Sequence, residues 1–135
     1  MTDRNPDKTD RRDYRIHTDI KFDPLTLLDI PGLVEECRDT WFNQTLVEVN
    51  DSVVRLGIVE GEFHWHHHDE DDEFFLVLSG RLFVDLLDET IELGPHQAVT
   101  VPRGVRHRTR APEKTVMLMM AKEGVRPEGD EVPGK

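Results

Sequence analysis

The feature that most constrains the fold is a succession of short β-type runs, separated by turn residues, between positions 44 and 121. Runs of this length that end at Gly, Pro, Asp or Asn are typical of short strands. Nine can be read in chain order: QTLVEV, VVRLGIV, EFHWHHH, EFFLVL, RLFVDLL, TIEL, AVTV, VRHRT and TVMLMMA. Their regular spacing predicts an all-β domain, built as an antiparallel sandwich or a small barrel.

The segments on either side of these runs differ in composition. Residues 24–40 predict one or two short helical turns, with Pro31 suited to a first helical position. Residues 1–15 are charged and hold almost nothing apolar, and residues 124–135 are rich in Pro and Gly, so both are predicted to be flexible tails. We therefore expect a single domain over residues 16–123.

Composition argues against several partners and compartments. The formal net charge of -11 over 135 residues opposes binding to phosphate backbones, which argues against nucleic acid as a partner. No apolar run approaches the roughly 20 residues that a membrane helix needs, and the N-terminal residues contain no apolar signal core. The one cysteine, Cys37, cannot form a disulfide within the chain. We therefore expect a cytoplasmic protein without membrane or nucleic-acid partners.

Two glycine-containing pairs, Ser79-Gly80 and Glu60-Gly61, are predicted to be two-residue hairpin turns, because glycine supplies the positive φ that such turns require. Successive side chains of a strand point to opposite faces, so Glu73, Phe75 and Val77 share one face. Across the Ser79-Gly80 turn this face would meet Leu82, Val84 and Leu86.

The opposite face of the same strand carries Phe74, Leu76 and Leu78, and it is too apolar to remain in water. The N-terminal segment that contains Trp41 and Phe42 could cover this face, or a second copy of the chain could pack against it. We favour the second copy and therefore expect a homodimer.

A histidine-rich stretch, HWHHHDEDDE, precedes the apolar run EFFLVL. His64, His66 and His68 alternate onto one face, Glu73 begins the next strand, and His107 follows much later in VPRGVRHRT. Three imidazoles and one carboxylate from separate strands can hold a divalent transition metal and leave one or two coordination positions open. The alternative interpretation is a solvated histidine-rich loop.

This combination resembles the cupin family. The first motif of that family contains a glycine, a His-x-His pair, a glutamate and a second glycine. It is matched in this sequence by Gly61, His66, His68, Glu73 and Gly80. One departure lies at the front, where four residues rather than five separate the first glycine from the histidine pair.

The second cupin motif contains Pro-x-Gly-x-x-His, which is matched by Pro102, Gly104 and His107. The position of its leading glycine holds His96, and the position of its closing asparagine holds Ala111. These departures affect turns rather than metal ligands. The wider pattern is similar to a group of small single-domain bacterial cupins labelled as resembling mannose-6-phosphate isomerase.

The resemblance implies a double-stranded β-helix, or jelly roll, with a short N-terminal helical segment and one divalent metal, either Mn, Fe, Ni or Zn. The implied metal ligands are His66, His68, Glu73 and His107. In the alternative register, His64 and His66 would pair with Glu70. That register is disfavoured because Val77 would then stand where the motif requires glycine.

Three further side chains are candidates for contact with a substrate. His64 shares the inner face with the ligands, although a simple barrel-lining role is equally compatible with its position. Arg55 would lie opposite His66 if Glu60-Gly61 formed a two-residue turn, and there it could bind a carboxylate or phosphate, the alternative being a surface salt bridge. Phe75 shares the face of Glu73.

Such a site suits an anionic or hydroxylated small molecule, because three neutral imidazoles, one carboxylate and a divalent metal carry a net charge near +1. Two classes of function are therefore expected. The first is a small-molecule metalloenzyme, either a sugar or keto-acid isomerase or lyase, or a dioxygenase. The second is a noncatalytic sensor or binding module that uses the same metal pocket.

Overall fold

The computed structural model describes residues 14–129. Over these residues the chain forms eight strands and one short helix. They are β1 (Arg15–His17), α1 (Ile30–Glu36), β2 (Trp41–Val49), β3 (Ser52–Glu62), β4 (Glu73–Ser79), β5 (Leu82–Asp85), β6 (Thr90–Leu93), β7 (Ala98–Val101) and β8 (Arg108–Lys122). The all-β class is confirmed. The helix contains Pro31 in its first turn, as the sequence indicated.

The long strand β8 organises the sheet. It pairs with β3 along one edge, and along its other edge it pairs first with β5 and then with β4. The sheet extends from β3 through β2 to β1, from β4 to β7, and from β5 to β6. All pairs are antiparallel except β1 with β2. This arrangement is the jelly roll predicted from the cupin resemblance.

Two of the predicted strand assignments were wrong. The run EFHWHHH does not form a strand of its own, because β3 continues to Glu62 and His66 makes only an isolated bridge with His107. The run TVMLMMA and the last two residues of VRHRT, Arg108 and Thr109, belong to one strand, β8. Pro112 is tolerated within β8 because it lies where the pairing with β3 shifts register, between Ala111 and Thr115, and needs no ladder hydrogen bond there.

Neither glycine pair forms the predicted hairpin turn. β4 pairs with residues 116–120 of β8, and β5 pairs with residues 108–110, so the chain continues along β8 with a kink at Ser79-Gly80 instead of folding back. Gly80 does have a positive φ of 87°. Gly61, with φ 114°, lies within β3 at a bulge opposite β8.

The core lies in the interior of the barrel. It includes Phe75, Val77, Leu82 and Val84, all buried, so the inner face predicted from alternation is correct. Leu82 and Val84 follow Phe75 and Val77 along the interior rather than facing them, because β5 continues the line of β4. Trp41 also lies inside the barrel.

A second cluster covers part of the outer face. Side chains of α1, including Leu33 and Val34, pack with Phe42 and Leu78 against a buried group formed by Leu46, Leu56, Ile58 and Val116. The N-terminal segment therefore covers the outer face at the Leu78 end of β4. Phe74 and Leu76 are only partly buried.

The packed structure extends beyond both predicted domain limits. Tyr14 is buried in the core and Arg15 begins β1, although both fall in the predicted N-terminal tail. Residues 124–129 fold against the barrel, and Val125, Pro127 and Gly129 are buried there. The rest of the two predicted tails, residues 1–13 and 130–135, lies outside the described residues. No helix in the described part is long and apolar enough to cross a membrane.

Candidate metal centre

The backbone brings His66 and His107 side by side. The amide of each residue donates to the carbonyl of the other, with both N···O distances 2.9 Å. This pairing places the two imidazole ring centroids 4.4 Å apart. The loop that carries His68 is fixed by a hydrogen bond from Gly104 N to His68 O at 2.7 Å. Short backbone contacts therefore position three histidines from two distant parts of the chain.

Glu73 completes a compact set of four possible ligands, in which one donor atom of each residue lies within 4.8 Å of the others. The set is His66, His68, Glu73 and His107, and all four are buried. Donors on opposite sides of a metal at 2.0–2.2 Å would be about 4.0–4.4 Å apart, so shifts of a few tenths of an ångström bring these atoms into coordination distance. The structure thus brings together the four residues that the cupin resemblance implied.

Hydrogen bonds orient two of the imidazoles for metal binding. His66 Nδ1 lies 3.0 Å from His64 O, and His107 Nδ1 lies 2.9 Å from Val105 O. A carbonyl oxygen only accepts, so Nδ1 carries the proton in both rings and the Nε2 lone pair is left for a metal. A hydrogen bond from the other ring nitrogen to a backbone carbonyl is typical of metal-binding histidines.

The surroundings of His107 Nε2 give the strongest indication that a metal binds at this position. The residue is 0% exposed, and Nε2 has no hydrogen-bond partner among residues 14–129. Its distance to Glu73 Oε1 is 3.9 Å, which is too long for a hydrogen bond. A buried acceptor left unsatisfied costs roughly 1–3 kcal/mol, and a metal ion at this position would remove that cost.

The electrostatics favour metal-binding protonation states for two of the four residues, His66 and Glu73. Burial, reinforced by the neighbouring His107, lowers the pKa of His66 to about 3. Burial alone raises the pKa of Glu73, but the facing imidazoles of His107 and His68 outweigh it and lower that pKa to about 2. His68 Nε2 lies 3.0 Å from Glu73 Oε1. At neutral pH, His66 is therefore neutral and Glu73 is ionised, as metal ligation requires.

The three candidate substrate contacts lie in different relations to this centre. The ring of Phe75 meets the ring of His107 edge-on at 6.3 Å and lines the same interior space. The ring of His64 lies 5.3 Å from that of His66, but its Nε2 donates to Glu128 O at 2.7 Å. His64 is thus a neighbour of the ligands that points towards the C-terminal segment.

Arg55 reaches the interior by a route different from the predicted one. It lies opposite Thr45 and Met119, not His66, because Glu60-Gly61 is a bulge and not a turn. Arg55 is nevertheless only 3% exposed, and burial lowers its pKa while the charge of Glu73 raises it. A surface salt bridge, the alternative considered for this residue, is therefore excluded by its burial.

The space beside the ligands is small. A cavity of about 20 Å³ touches His66 and Glu73, which is room for about one water molecule. Its other walls are Trp41, Asn43, Gly57, Val59, Phe63, Phe75, Thr109, Met117, Met119 and Pro127. Asn43 was missed in the sequence, although the alternation of Trp41, Asn43 and Thr45 along β2 would have placed it inside. Pro127 was missed because it was assigned to a tail.

Comparison with known proteins identifies the family. The family model described as "Cupin domain" matches residues 52–121, which is 70 of the 135 residues and includes all four candidate ligands. The chain therefore belongs to the cupin family.

Similar proteins are found among both sequences and structures. The chain is 41% identical over 88 residues to the uncharacterized protein YdbB of Bacillus subtilis, covering 64% of this chain and 78% of YdbB. A cupin-2 domain protein from Shewanella frigidimarina is 30% identical with a TM-score of 0.67, covering 70% of this chain and 92% of that one. A Streptococcus pyogenes protein of unknown function shares the fold at 23% identity, with a TM-score of 0.63 over 83% of this chain and 96% of that one.

Proposed function

We propose that this cupin binds one divalent transition metal, Mn, Fe, Ni or Zn, and acts on an anionic or hydroxylated small molecule as a metalloenzyme. The observation that carries the proposal is the buried set of four donors, in which His107 Nε2 has a lone pair and no partner in the described residues. A solvated histidine loop would not bury all four side chains. The alternative interpretation of HWHHHDEDDE as a solvated histidine-rich loop is therefore disfavoured for His66 and His68.

The bound metal would supply Lewis acidity towards a hydroxyl or carbonyl group, and iron would also bind dioxygen. The residues of the chain supply orientation and specificity. Phe75 would form an apolar wall, and His64 could exchange protons or hydrogen bonds with a substrate once its bond to Glu128 O is released. Arg55 would attract a negatively charged group from within the barrel.

The reaction class has two leading forms. A sugar or keto-acid isomerase or lyase would use the Lewis acidity of the metal on a hydroxyl or carbonyl group, and dioxygenase chemistry would follow if the metal is iron. A noncatalytic sensor or binding module is the alternative function. One observation favours this alternative. His66 and Glu73 are the only ionisable side chains among the described residues that line the small cavity. Both are assigned to the metal, which leaves no other acid–base group there for catalysis.

Metal analysis tests the proposal directly. The purified protein should hold about one divalent metal per chain, because these four residues provide one buried ligand set. The double variant His66→Ala/His107→Ala should lose the metal, whereas His96→Asn, a change at an exposed histidine with φ 69°, should keep it. Full occupancy in the double variant, with its fold verified by circular dichroism, would contradict the assignment.

Substrate assays then separate the classes of function. Oxygen consumption with diols, diketones and thiols would identify a dioxygenase, and interconversion of sugars or keto-acids without oxygen uptake would identify an isomerase or lyase. Saturable binding without turnover by the metal-loaded protein would favour the sensor.

Two further proposals concern the assembly and the compartment. The partly buried Phe74 and Leu76 lie on the outer face beside Met120, which is 43% exposed, and we propose that a second copy of the chain packs there. The single cysteine supports the cytoplasm as the proposed compartment, since it cannot form a disulfide within the chain.

A further inference from the structure

The C-terminal strap, defined here as Val125–Gly129, covers the candidate metal centre. A Cβ added at Gly129 would lie 2.6 Å from His66 Cβ and 2.8 Å from His66 Cδ2, so the backbone of Gly129 rests on this imidazole. Glu128 O accepts a hydrogen bond from His64 Nε2 at 2.7 Å, and Pro127 forms a wall of the 20 Å³ cavity. The strap therefore borders the space beside the ligands, which at about 20 Å³ is too small for an organic molecule.

The same strap accepts a hydrogen bond from the guanidinium of Arg55. Arg55 Nη2 donates to Val125 O at 2.7 Å, and Nε donates to Thr45 Oγ1 at 3.2 Å. The negative charge of Glu128 also acts on Arg55. Nη1 is buried and has no hydrogen-bond partner within residues 14–129. The strap thus gives Arg55 one carbonyl and a nearby carboxylate, where a bidentate oxyanion would satisfy more of its five donors.

A second, larger cavity also borders the strap. Its volume is about 550 Å³, and it is lined by Arg55 and Thr45 together with strap residues that include Pro127. Pro127 lines both cavities and is therefore a common wall between them. If the strap moved away, the two spaces would join, with the metal ligands at one end and Arg55 beside them.

The strap has hydrogen bonds that can persist when it moves. Val125 N donates to Lys122 O, and Gly129 N donates to Arg126 O, so these contacts are local to the C-terminal segment. The bonds to the barrel described above are instead made by the carbonyls of Val125 and Glu128. Opening of the segment as a unit requires at least these two long-range bonds to break.

We propose that Arg55 is an oxyanion-binding residue and that the strap is its internal competitor. A carboxylate or phosphate group of a small molecule replaces Val125 O on Arg55, and the strap then leaves the metal centre open to the rest of that molecule. This inference rests on the proposed function in one respect only, namely that the small molecule bound by Arg55 then meets a metal ion. It narrows the ligand class to small molecules that carry an oxyanion.

The first experiment is independent of metal. Acetate and phosphate are titrated separately into the metal-free full chain, and binding is followed by NMR. The two titrations distinguish a carboxylate ligand from a phosphate ligand. Gly129→Ala should loosen the strap, because the new Cβ meets His66 and the residue has φ 92°. We expect it to bind one of these probes about threefold or more tightly, because the binding-competent fraction rises. Gly61→Ala is the matched control, with φ 114° and no atom within 4 Å.

Arg55 variants identify the binding group in the same titration. Arg55→Met should abolish binding of the probe in both the wild-type and the Gly129→Ala background, and Arg55→Lys should weaken it, since lysine retains the charge without the planar fork. Thermal melts verify that each variant is folded. Undiminished binding by folded Arg55→Met, or equal affinities for Gly129→Ala and the wild type, would overturn the proposal.

The second experiment follows the metal-loaded protein. EDTA should remove metal about tenfold faster from Gly129→Ala than from the wild type or Gly61→Ala, because the closed fraction falls. The oxyanion that binds should accelerate removal from the wild type but not from Arg55→Met. Because the Cβ of Gly129→Ala also meets the ligand His66, the oxyanion measurement decides: a removal rate from the wild type that the oxyanion leaves unchanged would refute the gating role. A chain that holds no metal at all would refute the proposed function, while the NMR titration would still test Arg55 and the strap.

Discussion

Lowering the pH should destabilise the metal-free protein, because His66 is buried in its neutral form. Burial, and to a smaller extent the neighbouring His107, lowers the pKa of His66 to about 3 in the folded chain, whereas the pKa of an imidazole in the unfolded chain is about 6.5. As the pH falls, the unfolded state therefore takes up the proton first. The contribution of His66 to stability is fully present above about pH 6.5 and is lost progressively as the pH falls towards 3.

The size of the effect follows from the same two pKa values. Each pH unit between them changes the free energy of unfolding by about 1.4 kcal/mol, so a fall from about 6.5 to about 5 removes about 2 kcal/mol. Glu73 adds little in this range. Its pKa is lowered to about 2, so its contribution is lost only as the pH falls from about 4 towards 2.

Urea unfolding of chelated protein at pH 7.5 and pH 5 measures this loss. Wild type and the exposed-site control His96→Asn should each lose about 2 kcal/mol more than His66→Asn, because only the last lacks the buried imidazole. Comparing variants cancels the titration of the histidines that lie away from His66. If His66→Asn loses as much stability as the wild type, then His66 is not held neutral by burial and the reasoning fails.

Three other predictions concern the metal, a glycine and the assembly. With metal present, the melting temperature should fall more steeply between pH 7.5 and 5 than after chelation, because protons compete with metal for the imidazoles and the metal stabilises only the folded state; parallel curves would contradict a metal that supports the fold. Gly80→Ala should destabilise the protein by about 1–3 kcal/mol or more in urea unfolding, since its φ is 87° and the new Cβ would lie 2.6 Å from Lys114 O; Gly61→Ala, in open space, should cost less. Light scattering should give a dimer that Leu76→Lys dissociates, because burying the apolar face contributes about 25 cal/mol per Å²; a wild-type monomer at micromolar concentration would show that the face needs no second copy.

Local sequence patterns were sufficient to assign the side chains that point inwards. Alternation is a local property of extended backbone, so Glu73, Phe75 and Val77 could be assigned to the interior without knowledge of any partner strand. The spacing of the cupin motifs likewise selected His66 and His68 over the register that begins at His64. Both inferences depend only on residues that are close together in the chain or on a motif carried by the chain.

Strand pairing was decided only in the tertiary structure. A glycine with positive φ, such as Gly80, is compatible with a hairpin and equally with a kink, and the local sequence does not distinguish them. Here β8 is long enough to pair with β4 and β5 one after the other, so the chain continues in line. The choice depends on hydrogen bonds to residues between 23 and 46 positions away, which no local pattern contains.

The surroundings of Arg55 show the same division. Its alternation in β3 is visible in the sequence, but its burial depends on Thr45 from β2 and on Val125 from the C-terminal segment. That segment is rich in Pro and Gly and was assigned to a tail, because its few apolar residues have no local partner. It packs because the barrel already presents His64, His66 and Arg55 to its backbone, and backbone groups bind in this way whatever side chains the segment carries.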